Sequence, residues 1–139
     1  MTVQSKNYSV NHIGSLENIL TRELNGIYGK YFIRNELGLT GCEASLNCIP
    51  AGKGVPFVHA HKKNEELYIV LRGSGIFYVD GEEFPIQEGS LIRVAPAGER
   101  ALMAGSSDMY YICIQAEAGS LTQATLEDGI KVATKLSWM

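Results

Sequence analysis

The chain has 139 residues, room for one domain, and 45% of them are hydrophobic against 19% charged, a globular balance rather than that of a disordered tail. Twelve Lys+Arg against fifteen Asp+Glu leave a formal charge of -3, which argues against general binding to phosphate backbones. No apolar run approaches the about 20 residues needed to cross a bilayer, and Met1–Asn7 lacks the apolar core of a secretory signal. A soluble, cytoplasmic protein with no nucleic-acid or membrane partner is expected.

In chain order, residues 15–24 (SLENILTREL) carry the helical pattern: Ser15 as cap, then Leu16, Ile19, Leu20 and Leu24 at helical spacing. The remainder reads as short strands broken by glycine, at roughly 28–35, 42–49, 56–61, 66–72, 75–79, 82–87, 90–95, 100–104 and 109–115. Cys42 and Cys48 fall on one strand, roughly 20 Å apart and beyond disulfide reach. With Cys113 they make an odd count, so three buried thiols are expected. A redox or metal-binding thiol is the alternative, with Cys113 its best candidate.

The breaks carry turn chemistry. Asp80-Gly81 sits between GIFYV and EEFPI, a two-residue hairpin signal. Pro85 lies inside a strand and demotes it to an edge or a bulge. Strands at roughly 8–10 residue spacing predict an all-β sandwich or barrel. Residues 116–139 hold Leu121, Leu126, Ile130, Val132 and Trp138, too apolar for a free tail. They are expected to pack along the barrel or to cross to a second subunit. The organisation is thus 1–41 as N-terminal extension and first strands, 42–115 as core and 116–139 as packing segment, one domain in total.

The chemistry concentrates in Phe57-Val58-His59-Ala60-His61-Lys62-Lys63-Asn64-Glu65-Glu66-Leu67-Tyr68. On a strand, His59 and His61 present both imidazoles to one face. After a short polar turn, Glu66 opens the next strand and returns a carboxylate beside them. Two neutral nitrogens and one anionic oxygen suit a divalent ion such as Zn, Mn, Fe or Ni. The bland alternative is two half-exposed histidines, with Glu66 paired to Lys62 or Lys63 on the surface.

That stretch resembles the first motif of the cupin family, G-x5-H-x-H-x3,4-E-x6-G. His59 and His61 match the H-x-H, Glu66 follows after four residues, and six more lead to Gly73. Gly54 stands one residue nearer to His59 than the pattern asks. The second motif, G-x5-P-x-G-x2-H-x3-N, resembles Gly89 through Gly105. Its histidine position holds Arg100 when counted from Gly89 and Ala101 when counted from Pro96. The resemblance implies an all-β, jelly-roll barrel with His59, His61 and Glu66 converging inside it around a divalent metal ion. The family's fourth protein ligand is absent, because a guanidinium stays protonated.

Four more residues are candidates for the ligand site. Arg100 either points inward as an anchor for an anionic ligand or lies outward against Glu99, Glu82 or Glu83. Near the metal position it would serve as counter-charge to Glu66 in a metal-free barrel. Tyr68 shares the face of Glu66, and Phe57 shares the parity of the histidines as an apolar wall. Gln115 shares a face of the last strand with Cys113 and Tyr111. The expected function is metal and small-molecule binding inside the barrel. The alternatives are a metal-dependent enzyme of dioxygenase, decarboxylase or isomerase type, or a metal-free binding barrel, either of them as a homodimer.

Overall fold

The computed structural model describes residues 2–123 and 125–139, with the side chains of Leu24 and Thr125 outside the described set. Among the described residues there are twelve strands: β1 (Thr2–Gln4), β2 (Ser9–Asn11), β3 (Glu23–Leu24), β4 (Ile27–Tyr28), β5 (Lys30–Phe32), β6 (Glu43–Ile49), β7 (Asn64–Arg72), β8 (Ser74–Val79), β9 (Glu82–Gln87), β10 (Leu91–Val94), β11 (Arg100–Ala104) and β12 (Met109–Glu117). Helices are short: a 3-10 segment at Leu16–Thr21, α1 (Arg34–Leu37) and α2 (Thr125–Asp128). Among the described residues no helix is long and apolar enough to cross a membrane.

Two antiparallel sheets share one core. The larger has the order β10-β7-β12-β6-β5 and the smaller β11-β8-β9, so most spatial neighbours are distant in sequence, as in a jelly roll. Tyr68, Val70, Val94 and Tyr111 of the first meet Phe77, Ile86, Leu102 and Ala104 of the second. The all-β expectation holds. On β6 the period of two sorts the side chains: Ser45, Asn47 and Ile49 take one face, while Leu46 and Cys48 take the other with Tyr110, beneath Ile19 of the 3-10 segment.

The β8–β9 hairpin follows from Asp80-Gly81. Both residues hold positive φ, 49° and 90°, and Val79 pairs directly with Glu82. Pro85 sits on β9, the outer strand of its sheet, where its missing N–H leaves no donor unpaired in the ladder.

Four expectations are corrected. Residues 15–24 form a six-residue 3-10 turn and then a strand, and the Ser15 side chain makes no cap hydrogen bond. One buried residue, Ile19, docks that turn, which is too little apolar face to hold a longer helix. Residues 28–35 are interrupted at Gly29 and end in α1. Residues 56–61 are no ladder strand: within them the isolated bridge His59↔Arg100 is the one pairing with β11 among the described residues. Beyond β12 the described tail leaves Leu121, Leu126 and Trp138 86%, 96% and 78% exposed, which departs from packing along the barrel, one of its two expected placements.

Candidate metal centre

The bridge at His59 positions the first ligand. His59 N–H donates to the Arg100 carbonyl at 3.1 Å and Arg100 N–H to the His59 carbonyl at 2.9 Å, while His61 N–H donates to the Pro96 carbonyl. Backbone pairing at alternate residues gives the same result that a full strand would. Both imidazoles turn to one side, their ring centroids 5.1 Å apart. The chain then reverses through Lys62-Lys63 into β7, and Glu66 enters the core at 4% exposure.

The three groups meet. Glu66 Oε1 lies 3.4 Å from His59 Nε2 and 3.2 Å from His61 Nε2, and one donor atom from each residue lies within 4.8 Å of the others. With metal–ligand bonds of about 2.0–2.1 Å, donors around a tetrahedral ion stand about 3.3 Å apart. His61 Nε2 is buried without a hydrogen-bond partner, an acceptor or donor left for something that the protein does not itself supply. The donor set and the orphaned nitrogen both fit a divalent cation.

Glu66 is held ionised by its neighbours. Burial pushes its carboxyl up, but hydrogen bonds from Cys113 and Tyr68 and the nearby Arg100 guanidinium hold it below the usual carboxylate range. Tyr68 Oη donates to Oε1 at 2.9 Å and Cys113 Sγ to Oε2 at 3.0 Å. Burial first, and the Glu66 charge with it, push both the phenol and the thiol up, so they stay protonated donors. Burial also lowers His59, with Arg100 and His61 adding and Glu66 opposing, so its imidazole is neutral and free to ligate. The site sits near the rim, where the His59 side chain is 38% exposed.

Arg100 points inward. It is 0% exposed, with Nη2 donating to the Ala95 carbonyl at 2.9 Å and Nε 3.6 Å from Glu66 Oε1. The outward pairing with Glu99, Glu82 or Glu83 is therefore excluded, and so is a surface role for Glu66 with Lys62 or Lys63. Arg100, not Ala101, occupies the place beside the ligands, because it is the residue bridged to His59.

The other candidates divide. Tyr68 is in the cluster, its ring 5.0 Å from Phe77 and 6.0 Å from Tyr111, which close the floor. Phe57 is no inner wall. It is 63% exposed and meets His59 edge-on at the rim, since its segment runs along the sheet margin. Gln115 pairs in register with Glu66, but its amide oxygen accepts from Asn64 and the residue lines a separate groove with Cys42 and Glu43. Glu65 is drawn outward to Arg93 at 2.9 Å. Cys113, the candidate metal-binding thiol, does lie at the cluster, where it donates a hydrogen bond to Glu66. Its signal was the shared parity of Cys113 with Tyr111 on β12.

Residues 45–114 match the family model of the cupin domain. This chain belongs to the cupin family. A cupin protein from Bacteroides fragilis is 40% identical to it, with a TM-score of 0.80, covering 92% of this chain and 99% of that one. A predicted oxalate decarboxylase from Thermotoga maritima is 23% identical, with a TM-score of 0.51, over 53% of this cupin and 64% of that chain. The DMSP lyase from Ruegeria pomeroyi is 20% identical, with a TM-score of 0.57, over 73% of this cupin and 53% of that chain. The last two likenesses show the fold alone. No curated protein matches this cupin.

Proposed function

We propose that this cupin holds a divalent metal ion through His59, His61 and Glu66 and binds a small molecule beside it. The convergence of three donors on one point, with His61 Nε2 buried and unbonded, carries the reading. When bound, such an ion supplies a positive charge that polarises a ligand oxygen or acidifies a bound water. The protein's own contribution is orientation. Tyr68 and Cys113 fix the carboxylate, and the Arg100 bridge fixes His59. Fewer than four protein ligands leave positions open for a small molecule, the arrangement common to two-histidine, one-carboxylate sites.

Zn, Mn, Fe and Ni all remain compatible with this donor set. A metal-dependent reaction is one form of the proposal, resting on the open positions that three protein donors leave on the ion. A second reading has its own observation. The Arg100 guanidinium stands 3.6 Å from Glu66 and can serve as its counter-charge in a metal-free, anion-binding cupin. Metal content by mass spectrometry on tag-free protein separates the two. The expected result is near one divalent ion per chain in the wild type and a large loss in His59→Ala and Glu66→Gln. Equal, negligible metal in all three proteins favours the metal-free reading. A soluble, cytoplasmic homodimer belongs to the same proposal, in keeping with the three free thiols and the exposed apolar tail.

A further inference from the structure

We infer that the metal ion and a small anion, of the size and charge of a simple carboxylate, load this site together, each binding weakly without the other. The inference rests on the metal reading above and extends it. Its basis is the charge of the groups that face one another. Arg100 is fully buried, and its Nε and Nη1 have no hydrogen-bond partner. A guanidinium cannot shed its proton. Among the described residues its ion pair is with Glu66, at 3.6 Å and beyond hydrogen-bond reach.

The same oxygen, Glu66 Oε1, faces His59, His61 and Tyr68. A dication held there would share the one facing carboxylate with a permanent cation a few ångströms away, beside buried groups whose charges water screens only weakly. Among the described residues no carboxylate other than Glu66 lies within ion-pair distance of Arg100 or the two histidines. In the metal-free state Arg100 and Glu66 compensate each other. In the metal-bound state the balance requires a negative group from outside. An anion that accepts from the guanidinium while taking an open position on the ion corrects both defects at once. The Tyr68, Phe77 and Tyr111 rings pack against one another beneath the carboxylate, and the exposed side is that of His59.

The test is calorimetric titration of metal-stripped, full-length protein with Mn²⁺, repeated with Zn²⁺. One arm contains a bulky sulfonate buffer salt and the other sodium acetate at the same ionic strength. Acetate is expected to tighten metal binding at least about tenfold, within the range of ordinary site-to-site coupling. By linkage, Zn²⁺ should tighten acetate binding by the same factor. Arg100→Gln should bind metal in sulfonate about as well as the wild type does in acetate, and should lose the response to acetate. Equal wild-type affinity in the two salts, or competition by acetate, overturns the coupling and leaves the metal reading standing. Absence of metal uptake in every arm, Arg100→Gln included, overturns both. If Arg100→Gln does not fold, the paired wild-type titrations decide alone.

Discussion

Glu66 shows how a single carboxylate is kept charged in an apolar interior. It receives a phenol, a thiol and nearby positive charge, and these outweigh the cost of burial. The consequence for stability has a definite sign. Its folded value is depressed, so its stabilising contribution is fully present above the unfolded carboxylate value of about 4.3 and is lost as pH falls through the folded value. Urea unfolding in a chelator from pH 7 down to pH 3 should show a wide stability gap between wild type and Glu66→Gln at neutral pH, narrowing in acid. A gap independent of pH would contradict this account of Glu66. The residue types of the cluster were legible in His59-x-His61 and Glu66. The inward direction of Arg100 was not, because both faces of β11 are largely apolar and alternation alone could not choose between them.

At the scale of elements, the turns decide where strands begin and end. Gly73 closes β7 at a φ of +85°, and a Cβ there would stand 2.4 Å from the Asp108 carbonyl oxygen. Gly73→Ala therefore incurs both a strained backbone, about 1–3 kcal/mol, and a collision with main chain. Gly38 has a similar φ, +70°, but open space around it, so Gly38→Ala isolates the first cost. Denaturant melts should rank Gly73→Ala well below Gly38→Ala, and equal losses would show that the collision relaxes freely. The Asp80-Gly81 hairpin and most core strands were readable because turn residues and period-two alternation are local signals. The segment 56–61 has the alternation of a strand without forming one. Its alternation is genuine, yet pairing needs a continuous partner, and among the described residues β11 bridges it at His59 alone.

At the scale of the molecule, the two sheets bury a single core while the C-terminal tail leaves Leu121, Leu126, Ile130 and Trp138 in solvent. Apolar surface of that kind is covered at about 25 cal/mol per Å² when a partner is present. Pairing of two copies through the tails is the proposed outcome. Light scattering at micromolar concentration should give a dimer mass for the wild type. The double substitution Leu126→Asp, Ile130→Asp should give a monomer that still unfolds cooperatively, with a lower melting temperature that no longer depends on protein concentration, since neither side chain touches the core. A wild-type monomer would count against the pairing.

The sequence by itself determined the strand-rich class, the two-residue hairpin and the identity of the three donor residues, because each depends on spacing within a few residues. Only the tertiary structure decided that a buried arginine stands at the carboxylate, that Cys113 on β12 donates to Glu66 on β7, and that Phe57 stays at the rim. Those facts depend on how distant segments register against one another across the sheets, and register is set by the packing of the whole core rather than by any local run of residues.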